Sequence, residues 1–581
     1  MADKRQGITR RQVLAGAGAV SLGAITLSTS KAGSKTSWDH ETDILVVGSG
    51  VGAATAAVTA HENGDAVMVI EKAPILGGTS AKSAGVLWVP NNFTLKARGI
   101  DDKKKDCLNY LARYSYPEDH NQNDAHLGLS EREYGLLEAF YDNATRAVDR
   151  LGEHGDLKVA EWRMFMLDRP ATDYLDHVPE NKVPAGRALG PLKKDGTMGG
   201  GVELMMQLGD AIKRRAIPLL TNHRAIRLVL DQDGRVKGVE AESADTTVTI
   251  RARKAVIFAT GGYVHNPEFV SMYQRNRLWG SCAMPWITGD FINIAGAAGA
   301  RMGSMSSAWR TQVVLEEALQ SSKLAAGVFF PPGDSMIQVN RHGVRVVNEN
   351  RNYNDRTEAH GEYDVSQAEF PNQLLFMIYD QRTAEAFAGV YPIPADADKS
   401  PHVLKGKSLQ DLAGVIDKRL TEIAVQTGGF SLAPAFAGNL GNTIGRFNEF
   451  ARSGKDGDFQ RGLAAYDSEW HQVFSPMKTD SGWPPNKHPS ITMHPLRDEG
   501  PYYAVILAAG ALDTSGGPAI DTKARVLDTR NQPIPGLYGA GNCIASPSGE
   551  AYWGAGHTLG LSMAFGFIAA NSAHHEPRDK A

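Results

Sequence analysis

Between Asp43 and Glu71 the chain places a strand, a glycine turn, a helix, a second strand and a terminal acid in that order, and few folds accept it. Asp43–Val47 is a short apolar run ending at glycine, which reads as a buried parallel strand. Ala53–Glu62 is alanine-rich and helical, and Ala66–Ile70 reads as a second buried strand. Glu71 stands 23 positions beyond Gly48 (71 − 48). The whole is one βαβ unit of the dinucleotide-binding kind.

Each part has a mechanical role. Gly48 allows the tight turn, Gly50 lets the backbone approach a pyrophosphate, and Ala53, in the third-glycine place, keeps helix and sheet close. The helix N-terminus then offers unpaired N–H groups and a positive dipole end to phosphate. Glu71 can accept hydrogen bonds from ribose hydroxyls. NAD would satisfy this unit as well as FAD, so the choice between them rests on later segments. Gly77-Gly78-Thr79-Ser80 supplies a second hydroxyl-bearing loop directly after the second strand. Gly536–Asn542 reads as another strand and small-residue turn, and Gly556–Gly560 opens an apolar helix running to Ala570.

At 581 residues the chain exceeds what one core usually supports, so two or more lobes are expected. The net charge of -4 offers no broad attraction to nucleic acid, which directs attention to a small-molecule partner. Cys107, Cys282 and Cys543 are scattered and form no CxxC pair, so no disulfide framework or metal site is encoded, and redox chemistry would need an organic cofactor. Residues 1–33 read as an address: Thr9-Arg10-Arg11-Gln12-Val13-Leu14 before a weakly apolar Gly/Ala stretch resembles a twin-arginine export signal. That implies a folded, periplasmic protein, possession of a basic tail and a cytoplasmic location being the alternative. No integral membrane span is expected.

Asp43–Gly50, Glu71–Ser83, Ala259–Gly262, Gly289-Asp290 and Gly536–Asn542 together resemble the fumarate reductase and ketosteroid dehydrogenase superfamily of FAD enzymes. The resemblance implies an α/β fold in which a Rossmann-type FAD-binding domain is formed by both chain ends, around an inserted α+β substrate domain. The expected boundaries are 38–284 and 497–581 for the FAD-binding parts and 285–496 for the insert. The flavin contacts it implies are Gly48, Gly50, Gly52, Ala53, Glu71, Lys72, Gly78, Thr79, Ser80, Ala225, Gly261, Asp290, Gly541, Asn542 and Leu559.

Side-chain charge separates two chemistries within that superfamily. Reducers of fumarate-like dicarboxylates need fixed cations, above all arginine forks. Here Leu512-Asp513-Thr514 precedes Gly516-Gly517 where that branch has His-His-Thr, Tyr353 stands where it has an arginine, and Gly554–Gly560 lacks another. The chain is instead similar to the 3-ketosteroid Δ1-dehydrogenases. The resemblance implies that Tyr552 and Gly556 hold a 3-carbonyl, that Tyr353 is the base and that Tyr174 supports it by hydrogen bonding to the phenolate. Two departures stand out: Trp553-Gly554-Ala555 replaces the usual Pro-Gly-Pro, with Trp553 expected to reshape the pocket, and Lys82 lies where an aromatic is common.

The expectation is FAD-dependent 1,2-dehydrogenation of a 3-ketosteroid, a proton leaving C2 for a tyrosine and a hydride leaving C1 for flavin N5, with electrons passed to a quinone or other acceptor. The alternatives are a fumarate-reductase-like flavoprotein, a Δ4 ketosteroid dehydrogenase and a non-catalytic flavin-binding protein.

Overall fold

The first strand, His40–Val47, lies at the centre of an eight-stranded sheet because it is apolar on both faces and can be covered from both sides. Val67–Ile70 pairs parallel on one side and Thr246–Phe258 on the other. Pro533–Gly539 then joins parallel to Thr246–Phe258, so a strand from the end of the chain completes a sheet begun at its start. Arg224–Leu230 and Val236–Ser243 extend it as an antiparallel ribbon. The computed structural model describes residues 37–164, 167–244, 246–325 and 328–579. The export-signal segment lies outside the described residues, and among them no helix is long and apolar enough to cross a membrane.

Two helices from opposite ends of the chain cover this sheet, Val51–Glu62 and His557–His574. They meet at glycines: a Cβ on Gly566 would stand 2.3 Å from the Gly52 carbonyl oxygen, and one on Gly52 would stand 3.0 Å from that of Ser562. Ala53 is fully buried beside them.

A second sheet of five strands holds Ala308–Val314, Tyr502–Thr514, Leu374–Asp380, Met336–Val339 and Val403–Gly406. Tyr502–Thr514 pairs with three of the others and is its centre, which corrects the expected boundary at 497: the chain returns to the first sheet only after Thr514. The thirteen-residue run is buried nearly throughout. Such a strand reads alike in either sheet, so its pattern alone did not assign it.

Candidate active site

One cavity of about 580 Å³ runs from the glycine turn after the first strand to a cluster of aromatic side chains. At the first end, Gly48 has φ 108°, and a Cβ there would lie 2.4 Å from the Ala259 carbonyl oxygen, so only glycine fits. Gly50 caps the helix Val51–Glu62 without a side-chain hydrogen bond, and the first turn carries no acid. That leaves N–H groups for an anion. Ser80 Oγ accepts from the Val51 N–H at 3.1 Å, and Ser49 Oγ donates to Glu71 Oε2 at 2.7 Å. Lys72 donates to Asp290 at 2.9 Å and to Thr288 at 2.7 Å. The Lys72 and Arg224 cations beside Asp290 hold its carboxyl below the usual range against the opposing effect of burial.

Gly48, Gly50, Gly52, Glu71, Lys72, Gly78, Thr79, Ser80, Ala225, Gly261, Asp290, Gly541, Asn542 and Leu559 all border this cavity. Ala53 does not. Its side chain is buried, and its neighbour Gly52 is the position that lies against the Ser562 backbone. The open loop, the acid-free helix start and the glycines that only bare backbone can occupy suit the pyrophosphate and ribose of FAD.

At the other end Tyr174, Tyr353 and Tyr552 converge, all buried. The Tyr174 hydroxyl donates to that of Tyr353 at 2.9 Å, and ring centroids lie 5.3 Å apart both for Tyr353 and Tyr552 and for Tyr174 and Tyr552. Tyr353 opens a short helix, Tyr353–Glu358, capped by the Asn352 side chain. Its neighbour Asn354 accepts from the Arg310 N–H and donates to the Glu550 carbonyl, both at 2.9 Å, tying this helix to the loop that carries Tyr552. Tyr174 is fixed by its own N–H donating to the Trp553 carbonyl at 3.0 Å.

Gly556 has φ 86°, and a Cβ there would stand 2.4 Å from the Val86 carbonyl carbon. Its N–H has no acceptor among the described residues and remains available to a ligand. Trp553 does not reshape the cavity as expected. It turns into the core against Trp88 and Phe140, with centroids 5.4 and 5.2 Å away, and its indole N–H donates to Ser115 Oγ at 2.9 Å. The core packing on both sides of Trp553 holds the segment that the usual prolines would stiffen.

Burial pushes the Tyr353 phenol well above its ordinary value, and Tyr174 likewise. The expected lowering of Tyr353 by its neighbour is not seen: removal from water raises the phenol first, and the Tyr174 and Tyr552 hydroxyls beside it raise it further. His557, buried nearby with its Nε2 2.9 Å from Ser548 Oγ, is pushed down to about 3 by burial and stays neutral.

Two features of the cavity wall were not legible as functional. Asp513, 2% exposed, accepts from the Gly262 N–H at 2.9 Å, the Asn542 amide at 3.0 Å and the Thr514 N–H at 2.8 Å. Burial nevertheless raises it to about 6. Trp162, Phe330, Trp470 and Phe474 line the tyrosine end with stacked rings, the Phe330 and Phe474 centroids lying 4.6 Å apart. No arginine borders the cavity among the described residues.

The FAD binding domain family matches residues 43–559. A 4-oxocyclohexanecarboxylate 2-dehydrogenase of Sinomonas cyclohexanicum is 32% identical, covering 91% of this chain and 92% of its own. A 3-oxosteroid 1-dehydrogenase of Mycolicibacterium smegmatis is 29% identical, covering 91% of this chain and 97% of its own. Among solved structures, the 3-ketosteroid Δ1-dehydrogenase of Sterolibacterium denitrificans in complex with 1,4-androstadiene-3,17-dione superposes with a TM-score of 0.74 at 26% identity, covering 92% of this chain and 99% of that one. With a family match over nearly all the described chain and relatives named as dehydrogenases, this protein belongs to the FAD-binding family of the ketosteroid dehydrogenases and is an FAD-dependent oxidoreductase acting on CH–CH groups.

Proposed function

We propose that the protein desaturates a cyclic ketone next to its carbonyl, with a 3-ketosteroid oxidised at C1–C2 as the substrate class. The observation that supports this reading is the convergence of Tyr174, Tyr353, Tyr552 and the Gly556 N–H on one wall of the cavity. Bound FAD supplies the hydride acceptor. The chain's own residues make the α-proton removable: the Tyr552 hydroxyl and the Gly556 N–H can together donate to the carbonyl oxygen as enolate charge develops. Tyr353 stands within ring contact of Tyr552 and takes the C2 proton, while Tyr174 donates to the oxygen that receives it. The aromatic wall excludes water and matches an apolar ring system.

A second reading, a smaller oxocyclohexane carboxylate as substrate, is favoured by the 32% identity to the Sinomonas cyclohexanicum dehydrogenase. The electron acceptor, a quinone or another small oxidant, and export by the N-terminal segment are parts of the same proposal.

Anaerobic mixing of holoprotein with androst-4-ene-3,17-dione tests the main reading. Bleaching of the flavin, lost in Tyr353→Phe with flavin content unchanged, is the expected result. Bleaching by neither a 3-ketosteroid nor a cyclic keto acid would reject desaturation of ketones altogether.

A further inference from the structure

Lys82 ends the short helix Gly78–Lys82 that follows the second strand, and its side chain borders the cavity. Its ammonium donates to the Leu324 carbonyl at 2.6 Å. Among the described residues no carboxylate stands within ion-pair distance of it. The other lysine on the cavity wall, Lys72, is by contrast neutralised by Asp290 at 2.9 Å. The acids on the wall are engaged elsewhere: Glu71 by Ser49 and the Ala73 N–H, Asp290 by Lys72 and Arg224, Asp513 by three N–H donors.

Helix geometry separates Lys82 from the phosphate end. Residues two apart on a helix do not share a face. Ser80 faces the start of the helix Val51–Glu62, so Lys82 is directed elsewhere, toward the Leu324 segment. Thr79, three residues before Lys82, accepts from the Met284 N–H at 3.1 Å on that same side. Burial holds nearby His265 below its ordinary value, and the charges of Lys323 and Lys82 add to the same effect.

Covering an unpaired ammonium with an apolar ligand strips its water without repayment, whereas an anionic ligand group returns the loss. We propose that Lys82 is a specificity-determining residue that selects ring ketones carrying a carboxylate. This rests on the reading of the site as a ketone dehydrogenase and narrows its substrate class.

The test compares holoprotein and Lys82→Gln on a neutral 3-ketosteroid and on a 3-ketosteroid with a side-chain carboxylate, with 4-oxocyclohexanecarboxylate as a third substrate. For the acids the substitution is expected to raise KM roughly tenfold with kcat nearly unchanged, the size of one lost charge pair. The neutral ketone should be unaffected, and Lys82→Arg should restore much of the affinity. Equal changes for neutral and acidic substrates, or loss of flavin from Lys82→Gln, would overturn the proposal. If no ketone is turned over, the parent reading fails, and titration of the keto acids by flavin absorbance still decides the role of Lys82: binding weakened by Lys82→Gln upholds anion recognition, and binding left unchanged refutes it.

Discussion

Replacing Gly556 by alanine is the smallest change that separates the carbonyl-holding reading from a merely structural one. The new Cβ would lie 2.4 Å from the Val86 carbonyl carbon and 2.6 Å from the Leu87 nitrogen. Carbon atoms settle at about 3.5 Å or more, so one backbone must withdraw by about 1 Å. The φ of 86° adds about 1–2 kcal/mol of left-handed strain. Neither neighbour can yield cheaply, because Trp88 donates its N–H to the Gly556 carbonyl at 3.0 Å and is itself fully buried. The N–H proposed to meet the substrate oxygen therefore moves by a comparable distance. Loss of one such donor costs roughly a hundredfold to a thousandfold in kcat. Stopped-flow bleaching by a 3-ketosteroid reads the reductive step, and flavin absorbance with thermal unfolding reads integrity. Gly556→Ala should keep flavin and fold while slowing bleaching by about two orders of magnitude. A folded, flavin-loaded variant that bleaches at the wild-type rate would refute the assignment.

Turnover should climb from pH 7 into the alkaline range, because burial holds the Tyr353 phenol above its ordinary value and leaves little phenolate at neutrality. A flat kcat/KM profile above pH 7 would speak against this base. Asp513, raised to about 6 against about 3.9 when unfolded, binds a proton more tightly in the folded chain. Its contribution therefore favours folding below about pH 4 and opposes it as pH rises through 6. Asp513→Asn should flatten the fall in unfolding midpoint across that window, and an unchanged slope would show that other groups set it. Arg187 is buried against Asp102 at 2.7 Å and also pairs with Asp173. Arg187→Met should cost about 3–5 kcal/mol in denaturant unfolding by stranding two carboxylates, and a loss below 1 kcal/mol would contradict the network's role.

Local chemistry explains which parts of this molecule could be read in advance. The first sheet was legible because the Gly48–Ala53 turn must sit between a strand and a helix, and only bare backbone can approach Ala259 there. The three tyrosines were legible only through resemblance, since one buried tyrosine looks like any other until a partner ring is placed beside it. Tyr502–Thr514 lies beyond the expected boundary at 497 yet pairs within the second sheet, and uniform burial carries no label of partner that would show it in sequence. Asp513 looked like a simple absence of histidine, and two of the three N–H groups that make room for a buried acid, those of Gly262 and Asn542, come from segments distant in sequence. The raised Tyr353 was missed for a related reason: a pairwise contact is visible as a motif, but exclusion of solvent belongs to the whole enclosure.

The joining of His40–Val47 and Pro533–Gly539 in one sheet has a consequence for biosynthesis. On the ribosome, the glycine turn emerges hundreds of residues before the strand and helix that close its cradle. A nascent chain cannot retain its prosthetic group by this pocket until translation has all but finished, so loading is a late, whole-molecule event. Premature termination anywhere before the final helix should yield colourless protein, however well the early lobe is made.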